Sequence, residues 1–357
     1  MTTVVAIDLK RALGIVGSYV PKNRTAIDFA KQVKLTSVSQ GLLLNVNNTV
    51  SAVTQWLPAR VGDGAIETVL YWKELNEAVK HLRGEISIKQ DGSFITLESV
   101  AGSLSFTGLR PVDFPPCGHR ENAVSIWQAV VEAAELSQAI CQVAFAAEKG
   151  SSRPVLTCIN IRQSEATGNK VMIAAADGCV LAARPLACVN GQPQSAELDC
   201  NVPASELVNL QRRALVGAEG KVSLSLEQVG DRERYFWLGY GSCEVGILID
   251  QGQYPNYAQI IPTQWTTRVV CRRVDLDSAI KAAKSVNDIV RLQDRGQLQV
   301  SAKKEEGPQF SQLLSAKIEG EVNKVALSGA YALSFLGQAD SEAVSLEMTT
   351  ATSPLVW

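Results

Sequence analysis

The feature that most constrains this chain is a pair of short marks that recur together, in the same order, three times. The first is acidic-Leu-x-x-Ala-aliphatic, running Asp8 to Leu13, Glu135 to Ile140 and Asp275 to Ile280. The second is aliphatic-Ser-aliphatic: Ile86-Ser87-Ile88, Val222-Ser223-Leu224 and Val344-Ser345-Leu346. Either mark alone could arise by chance. Both in phase imply a threefold duplication, and 357 residues hold three units of ordinary domain size. In the first mark, Leu and the later Ala-aliphatic pair share one helical stripe, and the acidic residue is expected to cap the helix start and complement its dipole. The second mark alternates with period two and reads as a half-buried strand. A further amphipathic helix precedes each strand mark, over 71–83, 203–215 and 329–337.

Each unit therefore reads helix, strands, helix, strands. That predicts an α+β fold of three tandem units built from helices and antiparallel hairpins. Punctuation at Pro111-Val112-Asp113-Phe114-Pro115-Pro116 and at Gln251-Gly252-Gln253-Tyr254-Pro255-Asn256-Tyr257 sets the divisions at 1–120, 121–250 and 251–357. After the strand mark the first two units continue through 94–99 and 102–109, and through 235–240 and 242–249. The third continues only through 353–357, so it is expected to be one strand short.

Catalysis has little to work with. The chain has two histidines, His81 and His119, and no G-x-S-x-G, Walker or G-x-G-x-x-G sequence. Gly62-Asp63-Gly64 reads as a hairpin turn. None of the eight cysteines forms a C-x-x-C pair, so no zinc cage or redox motif is indicated. Cys141 and Cys271, on apolar segments, read as buried free thiols of a reducing compartment. With no apolar run of membrane length and no signal-peptide pattern, the expectation is a cytoplasmic, non-catalytic protein without metal or cofactor.

Basic and acidic residues nearly balance, 34 against 36, for a net charge of -2. A nucleic-acid surface must therefore come from segregation of charge. Lys10 and Arg11 lie away from the apolar stripe of their helix, as do Lys73, Lys80 and Arg83, then Arg212 and Arg213, then Lys281 and Lys284. On any one helix a solvated face is the better explanation, and only the recurrence on four helices brings the two readings level. Four such faces suit a salt-sensitive contact with a phosphate backbone. The helix around Leu136 breaks the pattern, carrying Glu132 and Glu135 and no base before Lys149.

Certain strings are similar to those of the bacterial sliding clamp, the beta subunit of the replicative DNA polymerase. Arg153-Pro154-Val155-Leu156 followed by Ala176-Asp177-Gly178-Cys179-Val180-Leu181-Ala182 resembles its R-x-x-L and T-D-G-x-R-L-A segments. Tyr254-Pro255-Asn256-Tyr257-Ala258-Gln259-Ile260-Ile261-Pro262 resembles its F-P-x-Y-x-x-x-I-P junction, and Asp113-Phe114-Pro115 the end of its first domain. The resemblance implies a head-to-tail homodimer ring around double-stranded DNA, with helices lining the hole. The helix bases would then meet phosphates, joined by Lys22, Arg24, Lys149 and Arg153 from loops. It also implies a pocket for linear peptides of the replicative polymerase and the clamp loader, lined by Leu156, Ala176, Gly178, Leu181, Pro255 and Ile260. Val180 departs from the pattern, standing where a basic residue is usual. Leu104 and Phe106 are implied at the dimer contact, against the helix near Lys284 of a second chain. The alternative reading is a clamp-derived interaction scaffold that does not encircle DNA.

Overall fold

The computed structural model describes residues 1–23, 25–115, 123–150, 152–164, 167–189, 197–230, 233–320 and 324–357. Arg24, Pro116, Cys117 and His119 lie outside the described residues. The chain divides into two compact units, 1–175 with 183–252, and 176–182 with 253–357. Among the described residues there are six α-helices: α1 (Ala6–Val16), α2 (Trp72–His81), α3 (Ala133–Ala144), α4 (Ala204–Leu210), α5 (Arg273–Val286) and α6 (Gly329–Leu336). The sheets are antiparallel throughout the described pairings.

The strand marks fall in Glu85–Asp91, Lys221–Val229 and Ala343–Met348. Each pairs with a strand that directly precedes a marked helix and that the marks did not reveal: Thr2–Val5, Val124–Glu132 and Thr267–Arg272 respectively. This pairing buries Ile86, Ile88, Val222, Leu224, Val344 and Leu346. The acidic residue of the helix mark has a different role from the one expected. Asp8, Glu135 and Asp275 sit inside the first helical turn, while the caps are Val5, Glu132 and Arg272, extended residues without side-chain capping bonds. The carboxylates act on the dipole, not on the orphan amides.

Two further expectations are corrected. The helix expected over 203–215 ends as α at Leu210 and continues as a π-helical turn, Gln211–Leu215. Gln211 is buried there, its amide Nε2 donating to Ser137 Oγ on α3 at 3.1 Å. Gly62–Gly64 is not a hairpin turn. Arg60–Val61 pairs with Thr2–Val5, whereas Glu67–Tyr71 pairs with Gln32–Val38, so the bend carries the chain from one sheet to another. A glycine signal marks a change of direction, and it says nothing about whether the flanking strands pair.

One four-stranded order occurs three times. It runs Ser51–Pro58, Gly41–Asn47, Gln32–Val38, Glu67–Tyr71; then Leu181–Ala187, Lys170–Ala176, Cys158–Gln163, Leu198–Pro203; then Gln309–Leu314, Leu298–Lys303, Ile289–Asp294, Lys324–Ser328. In the first unit Ser51–Pro58 also pairs with Cys243–Leu248, so residues from both ends of that unit share one eight-stranded sheet. Helices pack in twos. Trp72 Nε1 donates to Leu13 O at 2.9 Å, joining α2 to α1. Its ring lies so close to Gly17 that an added Cβ would stand 2.1 Å away. In the second unit, Leu276, Ala279, Ile280 and Ala283 of α5 and Ala332 and Leu336 of α6 form the core with Val290, Leu292 and Val300. Glu347 and Val356 there exchange two backbone hydrogen bonds, and Trp357 packs on Phe335 at 5.0 Å.

Candidate functional site

The bases singled out by the sequence divide by what they touch. Arg11, Lys73, Arg83, Arg212, Arg213 and Lys284 are exposed on or just beyond helices, and Lys22 and Lys149 are exposed in loops. Three others are paired: Lys80 with Glu77 at 2.6 Å, Arg153 with Glu148 at 3.2 Å and Lys281 with Asp277 at 2.6 Å. Lys10 is bound differently. Its ammonium donates to Lys80 O and Leu82 O at 3.1 and 2.9 Å, where α2 ends. A cation on the last carbonyls of a helix satisfies orphan acceptors and complements the dipole, so Lys10 fastens α1 to α2. A surface ion pair is worth about 0–1 kcal/mol, weak enough to exchange a carboxylate for a phosphate; Lys10 is held on its two backbone acceptors.

The acidic helix α3 has a neighbour the sequence reading missed. Arg184, on the strand Leu181–Ala187, donates to Glu135 Oε2 at 2.8 Å and Gln138 Oε1 at 2.9 Å, and also to Gln142 Oε1. Nothing in Ala-Ala-Arg-Pro-Leu signals that contact, because it crosses from a strand to a helix far apart in sequence.

Strand edges form a second candidate surface. Leu104 and Phe106 lie on Gly102–Thr107, opposite Leu97 and Ile95. Those two are buried, so Leu104 and Phe106 point to the core side of their sheet yet remain half-exposed at its edge. The equivalent strand in the neighbouring sheet is Cys243–Leu248, since each follows its partner through a tight turn, Ser99 facing Gly102 and Tyr240 facing Cys243. That equivalent is covered by Ser51–Pro58, with Cys243 opposite Gln55 and Val245 opposite Val53. Gln55 Nε2 donates to Ser242 Oγ at 2.7 Å, and Ser51 Oγ to Glu206 Oε2 at 2.7 Å, locking the seam.

The six residues of the expected peptide pocket do not share one unit. Leu156 is buried in the first; Ala176, Gly178, Leu181, Pro255 and Ile260 belong to the second. Segment 176–182 is tied into the second unit by two tyrosines, Tyr254 of the junction string and Tyr331, which no string in the sequence included. Ala176 N donates to Tyr254 Oη at 2.9 Å, and Tyr331 Oη donates to Asp177 Oδ2 at 2.8 Å. Asp177 Oδ1 accepts the amides of Cys179 and Val180, with Gly178 at φ +92° completing the turn. Desolvation pushes the Asp177 carboxyl up, but the bonds from Val180, Cys179 and Tyr331 outweigh it and hold its pKa below the usual value. The same contact, first as a hydrogen bond to Asp177 and then through burial, pushes Tyr331 up to about 12. Ile260, at 61% exposure, stands at solvent with Ile261 and Trp265 partly exposed nearby in sequence.

Residues 130–256 match the model of the DNA polymerase III beta subunit, central domain. The chain is 26% identical over 309 residues to the beta sliding clamp of Synechocystis sp., covering 80% of this chain and 76% of that one. It is 24% identical over 355 residues to the beta sliding clamp of Halalkalibacterium halodurans, covering 94% and 89%. Among solved structures, the DNA polymerase sliding clamp of Bacillus subtilis aligns with a TM-score of 0.87 at 19% identity, over 99% of this chain and 94% of that one. The Pseudomonas aeruginosa sliding clamp solved with griselimycin bound aligns at 0.89 and 19%, with the same coverage.

Proposed function

We propose that this chain, a divergent relative of the bacterial beta sliding clamps, is a non-catalytic processivity factor that closes into a head-to-tail homodimer around duplex DNA. The observation that carries the reading is the seam between Cys243–Leu248 and Ser51–Pro58. The first kind of edge occurs once more, at Gly102–Thr107, and the second kind, free of proline, once more at Gln309–Leu314. Val53, Gln55 and Leu57 face Val46, Leu44 and Leu42, just as Phe310, Gln312 and Leu314 face Ala302, Val300 and Leu298. Carrying the seam's register across to a second copy sets Leu104 opposite Phe310 and Ser103 opposite Ser311. Phe310 packs against the core that α5 covers, so Leu104 and Phe106 would meet the helix that bears Lys284.

Division of the chain at 1–120, 121–250 and 251–357 belongs to the same proposal, as does a DNA surface made by Arg11, Lys22, Lys73, Lys80, Arg83, Lys149, Arg153, Arg212, Arg213, Lys281 and Lys284. Encirclement holds by topology, so each phosphate contact can be weak enough to allow sliding. Polymerase and loader peptides are proposed to anchor apolar side chains on Leu181, Pro255 and Ile260 of the second unit. Light scattering should give about twice 38.4 kDa. Protein loaded on a circular duplex should dissociate when the circle is cut. A mass near 38.4 kDa, or equal retention on cut and closed DNA, would favour a scaffold that does not encircle DNA.

A further inference from the structure

We infer that Arg184 is a positioning residue for DNA, a strand-borne cation that cancels the charge of Glu135 on the acidic helix α3 so that a phosphate backbone can pass over it. This inference rests on the proposed encirclement of duplex DNA. Its observation is independent of that reading.

The sequence of α3 carries Glu135 with Gln138 and Gln142 on one flank and no base. Those three positions follow the i, i+3, i+7 spacing that forms a single stripe along a helix. Arg184 lies along that stripe and donates to all three side-chain oxygens. Its side chain is only 20% exposed, against 56% for Glu135. A planar guanidinium suits this geometry, since its fork offers several donors at fixed angles; the point charge of a lysine does not. On the opposite flank, the turn Gln211–Leu215 that carries Arg212 is fastened to α3 by the bond from Gln211 Nε2 to Ser137 Oγ. Helix α3 is therefore flanked by arginines on both sides, although it contains none.

The functional consequence follows from range. At physiological salt a charge acts over about 8 Å, so an uncompensated Glu135 repels a phosphate that approaches α3 but leaves the other helices unaffected. Arg184 is spent on the helix and makes no phosphate contact of its own. Its contribution is the removal of a local repulsion.

The experiment is equilibrium binding of a short, blunt, fluorescent duplex to the full-length protein at about 0.05 M salt, where no topology contributes. Arg184→Gln should weaken binding about fivefold, the order expected for one unit of charge at that salt. Adding Glu135→Gln to it should restore wild-type binding, and Arg184→Lys should bind like wild type even though its fork is lost. Circular dichroism and thermal melting of each variant report folding separately; the double variant lacks the same clasp, so recovered binding cannot come from recovered structure. Unchanged binding by a folded Arg184→Gln protein, or failure of Glu135→Gln to restore it, overturns the inference and leaves the clamp reading intact. Absence of salt-dependent binding by the wild-type protein overturns the DNA reading itself and the inference with it.

Discussion

Ser51–Pro58 and Gln309–Leu314 hold the same place in two sheets of the same strand order, yet one is covered and the other open. The covered strand has Ser51, Ala52, Val53, Gln55 and Leu57 buried, with a polar lock at each end of its seam. The open strand exposes Gln309, Ser311, Gln312 and Leu313, and among the described residues nothing pairs with its outer side. A third strand, Leu181–Ala187, occupies the equivalent edge of the remaining sheet and contains Pro185. At the covered edge the Trp56 amide donates outward to Ser242 O. Counted back from its own turn, Pro185 falls at that position and has no amide to donate. Of the two open edges, then, one can complete a ladder and the other is blunted. Edges are distinguished less by apolar content than by which backbone donors survive.

The most disruptive test of this comparison is Phe106→Arg. It places a charge on the proposed contact, and the expected outcome is complete conversion of dimer to monomer by light scattering with an unchanged circular dichroism spectrum. A surviving dimer would falsify the assignment of Gly102–Thr107 as the docking edge. Next in size is Gly246→Val on the covered seam. A Cβ at Gly246 would stand 2.6 Å from the Trp237 ring, so displacing the ring should cost about 1–3 kcal/mol in urea titration. Loss of stability without any change in oligomer mass would confirm that the two seams are separate.

How much of this was legible in the sequence depends on range. Helices and the strands after them followed from local periodicity, because a stripe or an alternation is written in consecutive residues. The strands Thr2–Val5, Val124–Glu132 and Thr267–Arg272 were missed because each runs straight into a helix without a turn residue to mark its end. Lys10 looked like a solvent-facing base; only the packing of α1 on α2 brings the far end of α2 within its reach. Tyr254, Tyr331 and Arg184 act through contacts across long sequence separations, for which their neighbours in the chain carry no signal.

Two smaller effects sharpen the comparison. Ser51→Ala removes one end of the seam's lock and should cost about 1 kcal/mol, with Glu206 left to water. Thermal melting should show it, and the mass in light scattering should stay that of the unaltered protein. Smallest is the pH response of the turn that leads into the blunted edge. Asp177 is held below its ordinary pKa, so its contribution is present above the unfolded value and lost as pH falls through the folded one. Tyr331 is raised, so its share is full below the ordinary phenol pKa and lost as pH rises towards about 12. Hydrogen exchange at Cys179 and Val180 should therefore speed up, relative to the intrinsic rate, at acid pH. Asp177→Asn should abolish that acid response.

The ring of Trp237 lying across Gly246 makes the covered seam optically addressable. Trp237 is almost wholly shielded, at 4% exposure, on the strand that hydrogen-bonds Cys243–Leu248, while Trp357 rests on Phe335 in the other unit. Indole emission shifts to longer wavelength as water reaches the ring, so parting of the seam strands and fraying of the last residues each produce a shift from a different tryptophan. A Trp237→Phe protein and a Trp357→Phe protein, unfolded side by side, would assign each shift to its unit and show whether both open at one denaturant concentration.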